Sequence, residues 1–137
     1  MKFSKSTTYG LRALANLVLA GAENSLQVKS LKIIAKEERI PFKFLEKLFS
    51  QLRKGGIVAS TRGVNGGYYL KRKPGRISLL EVLEFLGEKT VVFKCVSSSG
   101  GKITCGHSTG CGAVPVLQKV QGAINRSLKK MTLKDLV

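Results

Sequence analysis

The sequence predicts a mainly α-helical chain that carries one small β-hairpin and ends in a long helix. Three observations lead to this prediction. Apolar residues recur at helical spacing in several segments, a glycine-rich tip separates two short runs of β-branched and aromatic residues, and an amphipathic stretch closes the 137-residue chain. A hydrophobic content of 43% is enough for one packed core in a chain of this length.

The first two helices are predicted from their apolar stripes. Residues 6–20 form the first helix, and its core-facing residues are expected to be Leu11, Leu14, Ala15 and Val18. Ser30 is a suitable N-cap for a second, shorter helix over 31–37. Ile33 and Ile34 are expected to be the buried residues of that helix.

A third helix is predicted to begin at Pro41, because proline is favoured at the first helical position, and to end at Gly55. Its apolar face comprises Leu45, Leu48, Phe49 and Leu52. Its opposite face is polar and comprises Lys43, Glu46, Lys47, Ser50 and Lys54. A short helix, a tight turn and a helix with a polar outer face are typical of a helix-turn-helix, although two ordinary packed helices give the same pattern.

The hairpin that follows favours the helix-turn-helix interpretation. Strands are predicted over 57–61 and 68–71, and the tip between them reads Arg62-Gly63-Val64-Asn65-Gly66-Gly67. A hairpin directly after such a helix is a wing, and an arginine at its tip suits a minor groove or a phosphate. A nucleotide-binding loop is disfavoured, because the GxxxxGK[ST] spacing and a βαβ context are missing.

Ser78 and Glu81 predict a capping box at the start of a fourth helix. Its apolar face is expected to comprise Leu79, Val82, Leu83, Phe85 and Leu86. Residues 94–112 are rich in Gly, Ser and Thr and contain no acid, so a loop is expected there.

A last helix is predicted from Pro115 to about Lys130, and Thr132 with Asp135 predicts one further turn over 133–137. The narrow apolar seam of this helix comprises Leu117, Val120, Ile124, Leu128 and Met131. A narrow seam on a terminal helix suits pairing with a second copy of the chain, and packing against the same chain is the alternative.

The formal net charge of +16, from 24 Lys and Arg against 8 Asp and Glu, favours a polyanionic partner. The positive charge is concentrated over 43–76, where Glu46 is the one acid, so nucleic acid is favoured over a merely solvated basic surface. A membrane surface is disfavoured, because no single helix is both basic on one face and broadly apolar on the other. With no membrane-spanning run and no secretory pattern, we expect a cytoplasmic protein.

The cysteines of the chain, Cys95, Cys105 and Cys111, lie in one glycine-rich stretch. Thiolates bind soft metals and iron–sulfur clusters or respond to oxidants, which indicates a sensor. The odd number argues against a disulfide framework. An enzyme or an electron carrier is disfavoured, because one histidine, the lack of paired carboxylates near the cysteines and the wing all point elsewhere.

The sequence resembles the Rrf2 family of winged-helix regulators, which includes IscR, NsrR and CymR. The resemblance runs from end to end and is carried by Met1-Lys-Phe-Ser4, by IPFKFLEKLFSQLRKGGI over 40–57, by RGVNGGYYL over 62–70, by ISLLEV over 77–82 and by MTLKDLV over 131–137. We therefore divide the chain into a winged helix-turn-helix domain (1–90), a cysteine-bearing sensor loop (91–112) and a dimerisation helix with a C-terminal arm (113–137).

The resemblance implies a homodimer that binds a palindromic operator in double-stranded DNA, usually as a repressor. By motif position, the residues at the start of the recognition helix that face the major groove are Lys43, Phe44 and Glu46, and Glu46 suits a cytosine amino group. The wing-tip residues at the minor groove are Arg62, Gly63 and Val64. The candidate phosphate contacts are Lys47, Ser50, Gln51 and Lys54, and a merely solvated face is the alternative for each of them. Binding to RNA is the alternative that charge alone leaves open.

Many family members hold an iron–sulfur cluster in this loop, so the resemblance implies a 2Fe-2S or 4Fe-4S cluster on Cys95, Cys105 and Cys111. The fourth ligand departs from the family. Val114 stands where IscR-type proteins have a histidine, and Thr8 stands where NsrR-type proteins have an acid. His107, the lone histidine, is one candidate for the fourth ligand, and the alternatives are Thr8, Tyr9, a backbone atom, water or a small thiol. The alternative is a cluster-free regulator controlled by thiol oxidation or by a partner protein.

Overall fold

The computed structural model describes residues 2–23, 27–91 and 111–137. Over these ranges the chain forms helices, a two-stranded antiparallel sheet and two short 3-10 helices, η1 and η2. In chain order the elements are α1 (Lys5–Glu23), α2 (Leu31–Glu38), α3 (Phe42–Lys54), β1 (Val58–Thr61), β2 (Gly67–Leu70), η1 (Pro74–Arg76), α4 (Leu79–Phe85), α5 (Val114–Lys130) and η2 (Leu133–Leu136). The predicted class, mainly α with a small hairpin, is confirmed.

The core lies where α1, α2 and α3 meet beneath the hairpin. The predicted buried face of α3 is confirmed, since Leu45, Leu48, Phe49 and Leu52 are all at most 2% exposed. The stripe on α1 is rotated from the prediction, and its buried apolar residues are Ala13, Leu14, Leu17 and Val18. Four elements contact α1, namely α2, α3, β2 and η2. Because they approach from several directions, α1 buries a wider face than the single predicted stripe.

The expected burial of Ile33 is wrong. Ile33 is 49% exposed, whereas Leu31, Ile34 and Ala35 are buried. A short helix that packs through one side buries residues at helical spacing, and two consecutive isoleucines point about 100° apart, so only Ile34 reaches the core.

The turn between α2 and α3 is tight and is built by Arg39 and Ile40. Arg39 adopts a left-handed conformation with φ 53°, which ends α2. The amide of Ile40 donates to the carbonyl of Ala35 at 2.9 Å, and its side chain is buried. Pro41 is the N-cap of α3 rather than its first helical residue, because its ψ of 128° is extended. The helix-turn-helix geometry is therefore fixed by backbone bonds and one buried apolar anchor.

The hairpin pairs β1 with β2 in the register Val58↔Leu70 through Thr61↔Gly67. The other edge of β2 forms a bridge with the segment before α2, where Lys29 and Tyr68 exchange two backbone hydrogen bonds of 2.9 and 2.8 Å. A Cβ on Gly67 would lie 2.4 Å from the carbonyl oxygen of Lys29, so this approach requires glycine. The ring of Tyr68 meets that of Phe49 edge-on at 5.1 Å, which joins the hairpin to α3.

The C-terminal elements return to the core. Ser78 caps α4 by accepting from the amide of Glu81 at 3.2 Å, as predicted. The second half of the predicted capping box is replaced, because the carboxylate of Glu81 pairs with Arg72. The predicted turn after α5 is confirmed as η2, with a complete capping box between Thr132 and Asp135.

Helix α5 contacts α4 through one side and leaves the other side open. Gln121 is 2% exposed and donates its side-chain amide to the carbonyl of Thr90 at 2.8 Å. Large apolar side chains on the open side include Val116 and Val120, which are 61% and 42% exposed. Among the described residues, no helix is long and apolar enough to cross a membrane.

Candidate nucleic-acid interface

The outer face of α3 is charged because the inner face holds the core residues. Lys43, Glu46 and Lys47 are all exposed, and they lie in the N-terminal half of the helix. The residues expected at phosphates divide into two kinds, since Lys54 is exposed while Ser50 and Gln51 are half-buried. The arrangement offers cations and one acceptor to a partner that approaches the start of α3.

Phe44 differs from its neighbours on α3. Its ring is half-buried and packs edge-on against Tyr9 of α1, with ring centroids 5.6 Å apart. The guanidinium of Arg12 lies over Tyr9 at 5.8 Å and pairs with Glu38 at 3.5 Å. Phe44 therefore also positions the start of α3 relative to α1.

The sequence pattern did not predict the contacts of Tyr9 and Arg12, because these contacts join residues that are far apart in the chain.

A second group of polar side chains connects α1 to α2. Lys29 and Asn16 both donate to the carboxylate of Glu37, and the bond from Lys29 is the main reason that the pKa of Glu37 lies below its ordinary value. The helices that carry α3 are thus held together by charged contacts at their solvent edge.

The wing tip projects into solvent. Arg62, Gly63 and Val64 are exposed, and Val64 has no protein neighbour that shields it, at 104% relative exposure. Gly63 adopts a φ of 112°, and the amide of Gly66 donates to its carbonyl at 2.9 Å, so the tip is a closed turn. An exposed apolar residue beside an arginine at a rigid tip suits insertion into a groove.

The wing and α3 are joined at their bases. The guanidinium of Arg53 donates to the hydroxyl of Ser60 at 3.4 Å. The amide of Ile57 donates to the carbonyl of Leu52 at 3.1 Å, which fixes the corner between the helix and the first strand. Ile57 and Val58 are both at most 1% exposed. The two candidate DNA-contacting elements are therefore held in one relative orientation by the core.

Of the candidate metal ligands, Cys111 lies within the described residues. Its side chain is exposed, and its carbonyl accepts from the amide of Val114 at 3.3 Å, so the thiol stands directly before α5. Cys95, Cys105 and His107 lie outside the described residues. Among the described residues, no three His, Cys, Asp or Glu side chains are grouped so that they would hold a metal ion.

The two further positions that the resemblance led us to compare for a fourth ligand, Val114 and Thr8, have different environments. Val114 is 9% exposed and is part of the packed side of α5. Thr8 is exposed on α1, and its hydroxyl donates to the carbonyl of Ser4 at 3.3 Å. Thr8 therefore offers an accessible oxygen, whereas Val114 offers no donor atom. Within the described residues, Cys111 supplies one accessible thiol, the donor type that soft metals prefer, and one thiol by itself does not form a metal site.

Comparison with known proteins gives a consistent result over the whole chain. A family model described as "Rrf2: Iron-dependent Transcriptional regulator" matches residues 3–137. The protein rrf2 of Nitratidesulfovibrio vulgaris is 33% identical over 137 residues, which is all of this chain and 87% of that protein. The regulator IscR of Aliivibrio salmonicida is 31% identical over the same length, which is 77% of that protein.

Solved structures give the same result for the fold. CymR (YrzC), the global cysteine regulator of B. subtilis, superposes with a TM-score of 0.81 at 26% identity, over 99% of this chain and 95% of that one. IscR of T. potens superposes with a TM-score of 0.75 at 30% identity, over 99% and 85%. The oxidized form of Staphylococcus aureus CymR superposes with a TM-score of 0.72 at 28% identity, over 98% and 94%.

Proposed function

Because the chain belongs to the Rrf2 family of transcriptional regulators, we propose that it binds a palindromic operator as a homodimer, usually to repress, under the control of an iron–sulfur cluster. That the protein is a DNA-binding regulator rather than an enzyme follows from its relatives and structural neighbours. The homodimer, the operator symmetry, the repression and the cluster are the proposal.

The observation that carries DNA binding is the rigid pairing of an exposed charged helix with an exposed wing. Lys43, Glu46 and Lys47 lie on the open face of α3, and Arg62 lies at the wing tip. We assign α3 to the major groove, where Glu46 accepts from a cytosine amino group, and the wing to the adjacent minor groove. The lysines supply phosphate contacts that do not depend on sequence.

The open side of α5 supports a dimer. Val116 and Val120 are exposed there, and Ile124 and Leu128 are half-buried at the edge of a cavity of about 270 Å³. A second copy related by a two-fold axis would cover this apolar side with the same residues. Two symmetry-related readers then require two half-sites in opposite orientation, which is the definition of a palindrome.

We propose that the cysteine-bearing loop over 91–112, called the cysteine segment below, influences that dimer. Its N-terminal boundary follows Thr90, whose carbonyl accepts from Gln121 in the middle of α5, and its C-terminal boundary is Cys111 at the start of the same helix. A bound cluster would supply a centre that responds to iron, to electrons or to nitric oxide. In this proposal Cys111 transmits the state of the segment to α5, and α5 sets the spacing of the two DNA readers.

Oxygen-free purification followed by absorption spectroscopy and by iron and sulfide assays tests the cluster. We expect a coloured protein whose absorption disappears in Cys111→Ala, with unchanged helix content by circular dichroism. A colourless, iron-free protein would contradict the cluster and leave DNA binding intact.

In vitro selection of duplexes tests the operator, and the expected consensus has two-fold symmetry. Selection of RNA instead, or of no consensus, would contradict the DNA-reading proposal.

A second candidate keeps the DNA reader and replaces the cluster with thiol oxidation. The similarity to a CymR structure described as an oxidized form favours it. The exposed thiol of Cys111 is open to oxidants. Mass spectrometry after peroxide treatment of metal-free protein separates the two candidates, because a disulfide or sulfenic acid that changes operator affinity marks the thiol route.

A further inference from the structure

A second basic surface lies at the base of the wing, away from the outer face of α3. We call it the basic ridge, and its residues, all exposed, are Lys71, Lys73, Arg76 and Lys134. Two chain-distant segments form it. Lys71, Lys73 and Arg76 follow β2 through η1, whereas Lys134 belongs to η2 near the C-terminus. The proposed function makes no use of these cations.

The fold brings the two segments of the ridge together. Ser78 and Thr132 form an antiparallel bridge, flanked by backbone bonds from Leu79 to Met131 at 2.9 Å and from Leu133 to Ile77 at 3.0 Å. Arg76 ends η1 and Lys134 lies in η2, and these two 3-10 helices contact each other beside the bridge. The side chain of Lys134 passes close to Gly75, the residue before Arg76. Its Cδ lies 4.0 Å from the position that a Cβ on Gly75 would occupy.

The scaffold beneath the ridge is rigid. Ile77 and Leu133 are both fully buried, so the backbone that carries Arg76 and Lys134 is anchored in the core. Exposed like charges on two segments that the core holds close together repel each other, and a polyanion that binds both relieves this repulsion.

The acids of the region do not neutralise the ridge. Among the described residues, the ion pairs within 4.0 Å join Arg12 to Glu38, Lys29 to Glu37 and Arg72 to Glu81. Glu81 is thus engaged by Arg72, and the carboxylate of Asp135 accepts from the amide of Thr132 at 2.7 Å. No ridge cation takes part in an ion pair within the part of the chain that the structure describes.

The ridge is continuous with the wing. The amide of Lys71 donates to the carbonyl of Ile57 at 3.0 Å, which extends the ladder of β2 past Leu70. At about 3.3 Å per residue, Lys71 lies about 13 Å from Gly67 at the tip.

From these observations we propose that the basic ridge is a second DNA-binding surface, which binds phosphates of the duplex outside the half-site that α3 and the wing read. It rests on the proposed function, because the wing must first place the ridge beside the duplex. The recognised chemistry is the sugar-phosphate backbone, so the ridge adds affinity and footprint length and carries no base preference.

Fluorescence anisotropy with two duplexes tests the ridge. Both contain the selected operator, and the long one carries about one further helical turn of arbitrary sequence at each end. The test variant is Arg76→Gln with Lys134→Gln, which keeps the side-chain stems. The matched control is Lys32→Gln with Lys36→Gln, which removes the same charge from exposed positions on α2.

We expect the wild-type protein to bind the long duplex about tenfold more tightly than the short one, and the ridge variant to bind both about equally. The dependence of log K on log salt for the long duplex should become shallower by about 0.9 for each phosphate that the ridge no longer neutralises. The control should keep the wild-type ratio between duplexes, whatever its effect on each.

Two results would overturn the ridge. One is a wild-type protein that binds both duplexes equally, and the other is a ridge variant that keeps the wild-type ratio while binding both more weakly, as a merely solvated basic face would. Both leave the proposed function intact, because the short duplex is still bound. Failure of the proposed function appears instead as the lack of any selected operator.

Discussion

The carboxylate of Glu88 accepts two hydrogen bonds from Ser4, one from its amide at 3.0 Å and one from its hydroxyl at 2.9 Å. The same oxygen accepts from the hydroxyl of Thr7, which is fully buried. Glu88 lies just after α4, and Ser4 lies just before α1. One side chain therefore ties the start of the chain to the residues that lead toward the cysteine segment.

This cluster predicts a pH dependence. Hydrogen bonding from Thr7, and then from Ser4, holds the pKa of Glu88 below its ordinary value of 4.5, against the opposing effect of burial. A carboxyl with a lowered pKa in the folded state contributes stability above pH 4.5, and that contribution disappears as the pH falls through the lower folded value. Urea unfolding of Glu88→Gln should show a decrease in stability of about 1 kcal/mol at pH 7.

The comparison across pH separates this bond from a merely structural change. The deficit of Glu88→Gln should shrink as the pH falls below 4.5 and through the lowered pKa of the wild-type carboxyl, because that carboxyl then becomes protonated too. Glu84→Gln, which changes an exposed acid on α4, should show no such convergence. A deficit that stays constant from neutral to acidic pH would contradict the role given to the carboxylate.

Gly67 and Gly21 should respond oppositely to alanine. At Gly67 the new Cβ would meet the carbonyl oxygen of Lys29 at 2.4 Å, so the bridge to Tyr68 must open, and we expect stability to fall by about 2 kcal/mol. Gly21 lies in α1 with nothing within 4 Å, so alanine there should raise stability by about 0.5 kcal/mol. Urea unfolding measures both, and a neutral Gly67→Ala would show that the wing does not need this approach.

Alanine substitutions at Arg62 and Lys47 should weaken DNA binding in different ways. Arg62→Ala should weaken operator binding about tenfold and relax the preference at one position of each half-site. Lys47→Ala should weaken binding to all duplexes and make the salt dependence shallower by about 0.9. Selection on both variants, with titrations at several salt concentrations, distinguishes them. An unchanged footprint for Arg62→Ala would remove the wing from the reader.

A charged substitution at Val120 tests the proposed dimer. A charge introduced by Val120→Glu on the open side of α5 should shift the protein to monomers in sedimentation experiments and reduce operator affinity at least about tenfold, because one half-site alone is then held. Lys119→Glu alters an exposed neighbour on the same helix and should leave the protein dimeric. A Val120→Glu protein that sediments as the wild type does would place the dimer elsewhere.

The sequence predicted most correctly where one physical signal dominated. Amphipathic spacing alone predicted the buried face of α3, because the four apolar residues of that face lie on one side of the helix and all reach the core. Local hydrogen bonding identified the cap at Ser78 and the capping box of η2. These features depend on residues within one turn of each other.

Prediction failed where distant residues decide the outcome. Which face of α1 is buried depends on the four elements that contact it. Ile33 is exposed because the other side of α2 packs on the core. Glu81 pairs with Arg72 and so does not complete the predicted capping box. The bridge between Lys29 and Tyr68 has no local signature at all. The positions of the candidate DNA and metal residues in the described chain agree with an exposed site, and their roles stay predictions.

The anchoring of η2 has a mechanical consequence for α5. Leu133 is fully buried just beyond the C-terminal end of the helix, whereas Cys111 stands exposed just before its other end. A helix of 17 residues is about 26 Å long. The end of α5 near Cys111 is also packed, through Val114, so a sideways shift of the thiol by about 3 Å would tilt the helix by about 7° once this contact gives way. Under the proposed regulation, a reaction at the sulfur of Cys111 would therefore change the angle of α5.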